Sequence, residues 1–492
     1  MHRGGLRHEH PDIAENARSQ VHALPRRPEL VNIRARPGIG PCGSVRVAGT
    51  SEHAFEVAKL SVIWLVVLGN TVAIVWLWLA GGGVSGVHGV ADLLTSTGRI
   101  TGLLGAYFLL LQVLLLARLS WIEQRAGFDR LTIWHRRNGK LSLGVIVAHT
   151  VLITLGYAMT DKLSIPREAS QLLTSYPGMV TATVGTGLLV VVVLTSLVIV
   201  RRRLRYEAWY LVHFMAYVGI ILAWSHQIPT GNEFSASPAA AAYWTALYLA
   251  TLALLVLFRL AQPIVGACRF RLRVADVKVE SGSVVSLSIT GDRLDRLNAR
   301  SGQFFLWRFL TSSRWWESHP FSLSAAPRDD VLRITVKNVG DFTSHIGDIA
   351  PGTRVVAEGP FGVFTGSLRT RPGVALIAGG IGITPIRALV EDMSGDLILV
   401  YRVLRDEDLV FRHELEHLAR DRSVSLCYVV GDHAAPGGER LLSPEHLRQL
   451  IPDIADREVY VCGPPVMARA IETAVRRAHV PSKYIHVERF AL

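Results

Sequence analysis

Six long apolar runs limit the fold of this 492-residue chain more than any other feature. They lie near 60–80, 100–117, 138–158, 179–200, 207–226 and 239–260. Each is close to the roughly 20 residues that a membrane-spanning helix requires. Half of the residues are hydrophobic and only 19% are charged, which is rare in soluble proteins. The sequence therefore predicts a six-helix bundle in a lipid bilayer.

The distribution of basic residues predicts the orientation of these helices. The chain carries a formal net charge of +12, and arginines and lysines cluster in 118–140 and 201–205. The connecting segments 81–98 and 227–238 have almost no basic residues. Because basic loops stay on the cytoplasmic side, both chain ends are expected in the cytoplasm and the protein in the cell (inner) membrane. The basic clusters flank apolar runs and do not alternate with aromatic residues, so a nucleic-acid partner is not expected.

Composition and hydrophobic pattern divide the chain into four parts. Residues 1–56 are rich in Arg, His, Pro and Gly and are expected to form a disordered basic cytoplasmic tail. Residues 57–262 hold the apolar runs. Short β-type runs separated by turn residues fill 263–370, which predicts an antiparallel barrel or sandwich. Strands alternate with helical stretches in 371–492, which predicts a doubly wound parallel α/β domain.

Two of the apolar runs each carry a pair of histidines. His135 and His149 are fourteen positions apart, and His213 and His226 are thirteen apart. At 1.5 Å per residue these spacings correspond to about 21 Å and about 20 Å, so His135 can face His213 and His149 can face His226. Two facing imidazoles from separate helices are suitable axial ligands for haem iron, and two such levels predict two stacked haems.

The angular spacing is less favourable for the second pair. At about 100° per residue, thirteen positions leave His226 about 140° away from His213 on an ideal helix. A local bulge or a helix end near Pro229 would be needed to point both rings inward. The alternative is that the four histidines are buried structural residues satisfied by neighbouring polar groups.

Motifs in the last third of the chain indicate nucleotide cofactors. The segment "HPFSLSAAP" (319–327) follows a β-type run, and Ser322 could bond the N5 region of a flavin with Phe321 packed nearby. The segment "VGDFTSHI" (339–346) offers a glycine turn suited to a pyrophosphate. The segments "LIAGGIGITPIRAL" (376–389) and "VYVCGPPVM" (459–467) each end a strand at a glycine turn, where α/β folds bind nucleotides. Each motif alone could be an ordinary turn, and Cys462 could be a small buried side chain.

Together these residues resemble the membrane flavocytochrome family of NADPH oxidases and ferric reductases, from about residue 60 to the end of the chain. The histidine spacings match that family's two-haem bundle, and "HPFSLSAAP", "GGIGITP", "CGPP" and the ending "HVERFAL" match its FAD and nicotinamide motifs. The resemblance implies a six-helix transmembrane domain, a β-barrel FAD domain and an α/β NAD(P) domain. The flavin and nicotinamide modules also occur in soluble ferredoxin-reductase-like enzymes.

The resemblance also implies a set of site residues. The haem ligands would be His135, His149, His213 and His226. The FAD residues would be His319, Pro320, Phe321, Ser322, Leu323, Ser324, Gly340, Thr343, Glu488 and Phe490, the last being the aromatic that covers the flavin ring. The nicotinamide-nucleotide residues would be Gly379, Gly380, Gly382, Thr384, Pro385, Cys462, Gly463 and Pro464. Arg402 follows a strand where a 2′-phosphate could be recognised, which favours NADPH over NADH, although it could equally be a surface arginine. Ser322, Cys462 and Phe490 would lie closest to the hydride transfer.

The expected activity is electron transfer across the membrane. NAD(P)H delivers two electrons as a hydride and haem accepts one at a time, so FAD is the necessary converter. The outer acceptor is expected to be dioxygen, with superoxide formed, or a ferric chelate. The alternatives are a quinone or a periplasmic protein as acceptor, or a non-enzymatic haem- or nucleotide-binding membrane protein such as a sensor or transporter.

Overall fold

The computed structural model describes residues 32–33, 51–197, 200, 203–204, 206–231, 237–432, 434 and 438–489. The helices of its membrane half are α1 (Ser51–Ala80), α2 (Val90–Leu115), α3 (Ser120–Ala126), α4 (Phe128–Thr160), α5 (Ile165–Ser175), α6 (Met179–Ser196), α7 (Tyr206–Trp224), α8 (Gln227–Thr230), α9 (Pro238–Leu255) and α10 (Gln262–Phe270). A π-helical segment, Val256–Ala261, joins α9 to α10.

The six predicted spans are confirmed. The helical segments that are long and apolar enough to cross a membrane, among the described residues, are Val62–Ala80, Val90–Leu115, Arg130–Thr160, Met179–Ser196, Ala208–Thr230 and Pro238–Phe270. Three of them extend well beyond the predicted apolar runs. Helix α2 begins ten residues before the run 100–117, and α4 begins ten residues before the run 138–158. The last span continues ten residues beyond the run 239–260, to Phe270. Polar residues such as Asp92 and Arg99 interrupt the apolar pattern of α2 without interrupting its helix.

Glycines set the closest helix packing in the membrane half. A Cβ added to Gly98, Gly102 or Gly105 of α2 would fall 2.6–2.8 Å from side-chain atoms of α4. On the other side, a Cβ added to Gly185 of α6 would fall 2.6 Å from the carbonyl oxygen of Gly219 on α7. Small residues let helix backbones approach closely in a membrane. The bundle therefore contains two tight pairs, α2 with α4 and α6 with α7, and the histidines of α4 and α7 lie between them.

The next part of the chain forms two antiparallel three-stranded sheets. Its strands are β2 (Arg273–Ser281), β3 (Val284–Thr290), β4 (Phe304–Phe309), β5 (His319–Ser322), β6 (Val331–Lys337) and β7 (Val355–Phe361), with a short helix α11 (Asp341–Ser344). The orders are β2-β3-β6 and β5-β4-β7, and isolated bridges connect the sheets. Phe305, Trp307 and Phe309 alternate along β4 and point into the shared core. Backbone hydrogen bonds from Val355 N–H to the Leu272 carbonyl and from Ser324 N–H to the Arg333 carbonyl also join the sheets, so the two sheets enclose one core.

The final part is the predicted doubly wound α/β unit, which the structure confirms. Its elements are β8 (Gly373–Gly379), α12 (Ile383–Asp392), β9 (Asp396–Val403), α13 (Arg412–Arg422), β10 (Ser425–Val430), α14 (Pro444–Leu450), β11 (Glu458–Gly463), α15 (Pro465–Arg477) and β12 (Ile485–Arg489). The strand order is β10-β9-β8-β11-β12, all parallel, with an apolar core on each face of the sheet. Burial on both faces explains why β8 reads as a nearly continuous apolar run.

The predicted tail, 1–56, lies outside the described residues except for the start of α1 and a two-residue strand. This strand, β1 (Asn32–Ile33), pairs antiparallel with β10 at the edge of the sheet. No pattern in the sequence predicted this pairing.

Candidate redox-cofactor sites

The first site is the facing pair His135 and His213, at the end of the bundle nearest to the β-sheet domain. Their ring centroids are 6.1 Å apart. The Nδ1 of His135 lies 3.0 Å from the carbonyl oxygen of Gln112, and the Nδ1 of His213 lies 3.2 Å from the hydroxyl oxygen of Ser196. Trp209 stacks on His213 at 5.0 Å. The structure thus brings together the two histidines that the sequence paired at this level.

The second site is the facing pair His149 and His226, almost four helical turns beyond His135 and His213 along the bundle. These ring centroids are 6.4 Å apart. The Nδ1 of His149 lies 2.7 Å from the carbonyl oxygen of Gly98, and the Nδ1 of His226 lies 2.5 Å from that of Ala223. This pair was also predicted.

The hydrogen bonds determine which ring nitrogen is available at each histidine. A carbonyl oxygen only accepts, so the Nδ1 of His135, His149 and His226 must donate its proton. Ser196 donates its own hydroxyl proton to the carbonyl oxygen of Val192 at 2.7 Å, so it too can accept from His213. Every neutral ring therefore keeps a lone pair on Nε2, which is the arrangement found in metal-ligating histidines.

The ring separations can be compared with two simple expectations. A direct hydrogen bond between two imidazoles would place their centroids about 5 Å apart. One metal ion held by both rings at about 2 Å from each nitrogen would place them about 6.2 Å apart. The observed 6.1 and 6.4 Å agree with the second arrangement. No group of three or more His, Cys, Asp or Glu side chains among the described residues could hold a metal ion by itself, so each pair could supply only two ligands.

The angular problem at His226 is solved by a helix end. Helix α7 stops at Trp224, and residues 225 and 226 form a turn before α8 begins. Gly178, with a φ of +79°, lies against this turn, and a Cβ there would fall 2.8 Å from the Cα of His226. Only glycine combines that left-handed backbone with that close approach. The break near Pro229 that the sequence required is therefore present.

The flavin motif lies on β5 and its surroundings. His319 stacks on Phe342 of α11 at 3.9 Å, and Phe321 lies 6.4 Å from the same ring, so the two predicted FAD segments are adjacent. Burial lowers the pKa of His319, although Glu317 opposes the change. The hydroxyl of Ser322 is buried and has no hydrogen-bond partner among the described residues. A buried hydroxyl without a partner is costly, so this atom is suited to a bound polar group.

Other predicted FAD residues have partners within the protein. Leu323 is fully buried in the core of the β-sheets, and Pro320 is exposed. The Ser324 hydroxyl accepts from Thr335 at 2.8 Å. The Thr343 hydroxyl accepts from the backbone N–H of Gly340 at 3.0 Å.

The nicotinamide motifs meet at the carboxyl ends of β8 and β11. Gly380 has a φ of +52°, a left-handed backbone that favours glycine, and a Cβ at Gly463 would fall 2.9 Å from the terminal methyl group of Met467. A Cβ at Gly379 would collide with Met467, and one at Gly382 with the carbonyl of Cys462. The structure thus brings the two predicted nicotinamide motifs into close approach.

The remaining predicted residues surround this junction. Thr384 and Pro385 are buried at the start of α12, where the Thr384 hydroxyl donates to the Ile381 carbonyl oxygen at 3.0 Å. Pro464 precedes α15 as its N-cap. Phe490 lies outside the described residues.

The polar groups at this edge differ in accessibility. The Cys462 thiol is fully buried, which raises its pKa well above the usual value, and its strand neighbour is Glu488. Arg402 lies on β9, opposite Gly379 of β8, and donates a hydrogen bond to the Gly431 carbonyl oxygen at 3.3 Å. Burial lowers the pKa of Arg402, whereas Asp432 acts to raise it. Arg402 is therefore a half-buried residue near the end of β9.

Sequence reasoning missed the contact between the membrane helices and the β-sheet domain. Glu123 of α3 is 2% exposed and accepts a hydrogen bond from the backbone N–H of Gly362 at 2.9 Å. Burial raises the pKa of Glu123 to about 7, partly offset by its hydrogen bonds to backbone N–H groups. Arg118 forms an ion pair with Glu358 nearby. No local pattern marks these residues, because each partner is more than 200 positions away.

Comparison with known proteins covers most of the chain. A family described as ferric reductase like transmembrane component matches residues 101–224. Families described as FAD-binding domain and oxidoreductase NAD-binding domain match residues 269–365 and 376–473.

Individual relatives match the reductase half. The ferredoxin reductase component of 3-ketosteroid-9-alpha-monooxygenase from Mycolicibacterium smegmatis is 31% identical over 239 residues, which are 46% of this chain and 66% of that protein. NADH-cytochrome b5 reductase 2 from Chaetomium globosum is 31% identical over 144 residues, 27% of this chain and 41% of that protein. The chain thus spans about two thirds or less of the length of these two relatives.

A solved structure, the flavohem-like FAD/NAD binding domain of nitric oxide dioxygenase from Vibrio cholerae, aligns with a TM-score of 0.39 and 23% identity over 45% of this chain and 98% of that one. The matching families and relatives support an enzyme and not a non-enzymatic sensor or transporter. The chain therefore combines segments that match a ferric reductase-like transmembrane component, an FAD-binding domain and an oxidoreductase NAD-binding domain, and these matches, with the reductase relatives, support an NAD(P)H-dependent oxidoreductase.

Proposed function

We propose that this protein moves electrons from cytoplasmic NAD(P)H, through FAD and two b-type haems, to an acceptor on the outer side of the membrane. The observation that carries the proposal is the pair of stacked histidine couples, with ring separations of 6.1 and 6.4 Å and every Nδ1 hydrogen-bonded to an acceptor. Buried structural histidines usually bond through both ring nitrogens, whereas the hydrogen bonds of these four rings within the described residues are made at Nδ1.

His135 with His213 would hold the inner haem, and His149 with His226 the outer one. When bound, the haems would supply one-electron couples, and FAD would supply the conversion from a two-electron donor. The protein's own contribution is orientation: the carbonyl oxygens of Gln112, Gly98 and Ala223 and the Ser196 hydroxyl hold each imidazole in one tautomer. The apolar helices around the rings exclude water and set the local dielectric.

The residues around β5 would orient FAD. The Ser322 hydroxyl would donate its unused hydrogen bond to the flavin, and Phe321, Phe342 and His319 would form an apolar wall beside it. The backbone N–H groups at the start of α11 would face the pyrophosphate, and the hydrogen bond from the Gly340 N–H to the Thr343 hydroxyl would fix the shape of that turn. Leu323 and Ser324 would support the flavin site from the core, since the Leu323 side chain is buried and both the hydroxyl and the backbone of Ser324 already have partners.

The glycine junction of β8 and β11 would bind the nicotinamide nucleotide. The residues assigned to it are Gly379, Gly380, Gly382, Thr384, Pro385, Cys462, Gly463 and Pro464. The Cys462 thiol is neutral because burial raises its pKa, so it would act as a small apolar surface and not as a nucleophile. Arg402 would bind a 2′-phosphate through its guanidinium group, which favours NADPH. Glu488 and Phe490 would complete the flavin site from the chain end.

We place the reductase domains in the cytoplasm and the protein in the cell membrane. The support is the arginine-rich segments 118–140 and 201–205, since α3, which contacts the β-sheet domain through Glu123, lies in the first of them. The proposed domain bounds are 57–262 for the haem domain, 263–370 for the FAD domain and 371–492 for the NAD(P) domain.

The proposed acceptor is dioxygen or a ferric chelate, and a single set of measurements tests the whole route. Purified protein with haem should show b-type absorbance that NADPH reduces without oxygen. Superoxide-dismutase-sensitive cytochrome c reduction, compared with ferric-chelate reduction, then identifies the acceptor. Protein that retains FAD but has no Soret band after expression with ample haem would contradict the proposal.

A further inference from the structure

A surface helix at the outer end of the membrane half directs a carboxyl group inward. Helix α5 connects the third and fourth spans, and its buried residues are Glu168 and Leu172, one turn apart. The neighbours Ser164 and Arg167 are exposed. Glu168 thus occupies a position on the inward stripe of an amphipathic helix where an apolar residue would be expected.

The carboxyl group of Glu168 has no partner. Its side chain is 0% exposed, and neither carboxyl oxygen has a hydrogen-bond partner among the described residues. A buried ionised carboxylate without a partner is strongly disfavoured, and the group becomes protonated instead. Burial, followed by the nearby charge of Asp161, raises the pKa of Glu168. The protein therefore holds a buried carboxyl group that forms no hydrogen bond within the described chain.

The polar groups around Glu168 come from three neighbouring elements. Asp161 follows the end of α4, and Tyr157 lies one turn before it. Tyr157 interacts electrostatically with Glu168, Asp161, Tyr176 and, from α2, Arg99. The rings of Tyr157 and Tyr176 are 6.1 Å apart. These groups form one polar cluster at the outer end of the bundle.

The cluster adjoins the outer histidine pair. Tyr176 is two residues before Gly178, where an added Cβ would fall 2.8 Å from the Cα of His226. Tyr157 lies eight residues beyond His149 on α4, about 12 Å along the axis. The segment that carries Glu168 therefore covers the end of the bundle at which electrons would leave.

We propose that Glu168 is a proton donor at the outer acceptor site, and that the acceptor is one whose reduction takes up protons. This inference rests on the proposed electron route and narrows the proposed acceptors: it keeps dioxygen, reduced to peroxide, takes up the quinone alternative and sets the ferric chelate aside. Two electrons arrive one at a time from NAD(P)H, and each reduction step is completed when an O–H bond of Glu168 breaks and an O–H bond on the acceptor forms. A quinone then becomes a hydroquinone, or dioxygen becomes hydrogen peroxide, with two protons and two electrons in either case. The carboxylate regains its proton from outer water beside the exposed Asp161. Reduction of a ferric chelate, or of dioxygen to superoxide, takes up no proton and would not need this group.

The test separates electron delivery from acceptor reduction. Wild-type holoprotein, Glu168→Gln and the exposed control Ser170→Ala are first reduced anaerobically with NADPH while haem absorbance is followed. The reduced proteins are then mixed rapidly with a short-chain quinone, with dioxygen under a peroxide assay, or with ferric EDTA. Glu168→Leu provides a second variant, since leucine suits the apolar stripe and should raise the melting temperature.

We expect equal haem reduction by NADPH in all four proteins. Both Glu168 variants should slow reoxidation by the quinone, or peroxide formation from dioxygen, by about 100-fold, in the range of general-acid effects. Reoxidation by ferric EDTA should not change. The wild-type rate with the proton-consuming acceptor should fall as pH rises through the pKa of Glu168, and this dependence should vanish in Glu168→Gln. Whichever of quinone and dioxygen shows the effect identifies the acceptor.

The failures are distinguishable. Haem that NADPH cannot reduce in the wild-type protein would contradict the electron route itself. Normal haem reduction together with unchanged reoxidation in both Glu168 variants would contradict the proton donor alone. An equal slowing with ferric EDTA would show that Glu168 has only a structural role, which also overturns the proposal.

Discussion

The inner and outer histidine pairs differ in what holds their rings. At the inner pair, one partner is the Gln112 carbonyl and the other is the Ser196 side chain, and Trp209 stacks on His213. At the outer pair both partners are backbone carbonyls, and glycines lie directly against the histidines. The inner site is therefore adjustable by side-chain substitution, whereas the outer site depends on how closely the helix backbones approach.

This difference determines which mutations can change the affinity of each site. A side-chain hydroxyl that accepts a hydrogen bond from Nδ1 can be removed or replaced by mutation. Its loss changes the basicity of Nε2 on the same ring, which is the nitrogen that would bind the metal. A backbone carbonyl cannot be removed, so the outer site can only be changed by moving a helix. The two proposed haems should accordingly respond to different kinds of mutation.

The largest effect should come from removing a ligand. We expect His149→Ala to halve the ratio of haem to FAD and to leave NADPH reduction of the remaining haem intact. His135→Ala should also halve that ratio, but NADPH should then fail to reduce the outer haem, because the inner carrier is missing. Pyridine haemochrome and flavin assays measure the ratio, and anaerobic spectra measure the reduction. Full haem content in either variant would refute the ligand assignment.

The next effect tests the dependence of the outer site on backbone approach. A Cβ at Gly102 would fall 2.6 Å from Nδ1 of His149, so Gly102→Ala should displace the ring from the Gly98 carbonyl. We expect outer haem affinity to fall by about 10- to 100-fold, the usual result of losing such a partner. The matched control is Gly144→Ala on α4, where an added Cβ would meet nothing within 4 Å. Haem retention is measured in a competition with apomyoglobin. Equal retention by both variants would show that the outer site does not depend on close backbone approach at Gly102.

A third effect concerns the protein contact near the inner pair. The native pKa of Glu123 is raised from 4.5 to about 7, so the native state binds the proton more tightly than the unfolded chain. Its contribution to stability is thus fully present at low pH and is lost as pH rises from about 4.5 to about 7, at about 1.4 kcal/mol per pKa unit. Glu123→Gln should flatten the dependence of melting temperature on pH across this window, whereas the exposed control Asp330→Asn should keep it. The same slope in both variants would assign the dependence to other groups.

The smallest effect should be at Ser196. Ser196→Ala removes the acceptor for His213 but leaves the other three histidine partners in place. We expect inner haem affinity to fall by about 10-fold, the lower end of the range for such outer partners, with a measurable shift in the midpoint potential of that haem. A redox titration that resolves two haems should show the outer potential unchanged. A shift in the outer haem instead would reverse the proposed assignment of levels.

The sequence predicts much of this organisation because the constraints are local. A span needs about 20 apolar residues, and a glycine turn after an apolar strand marks a nucleotide-binding junction, so both are readable without a structure. The histidine pairs were predictable because helix rise converts a spacing of fourteen or thirteen positions into depth. The end of α7 at Trp224 was required by the angle of His226 but could not be located from sequence, since "AWSHQIP" contains no residue that must end a helix before Pro229.

What the sequence did not predict depends on distant partners. Every residue type has a backbone carbonyl group, so nothing in the sequence marks those of Gln112 and Gly98 as histidine partners. Glu168 and Glu123 look like ordinary surface acids until the fold buries them. The packing of β1 on β10 joins segments almost 400 positions apart, and a two-residue strand has too little pattern to be recognised.

Helix α4 is 33 residues long, about 50 Å, whereas the hydrocarbon layer is about 30 Å thick. It carries His135 and His149, and its first residue, Phe128, packs on Phe304 of the β-sheet domain at 6.1 Å. One rigid rod thus fixes the distance from the reductase docking point to both histidine levels. Thinner or thicker bilayers should change the tilt of this rod but not the gaps that an electron must cross, so transfer rates should be insensitive to lipid chain length.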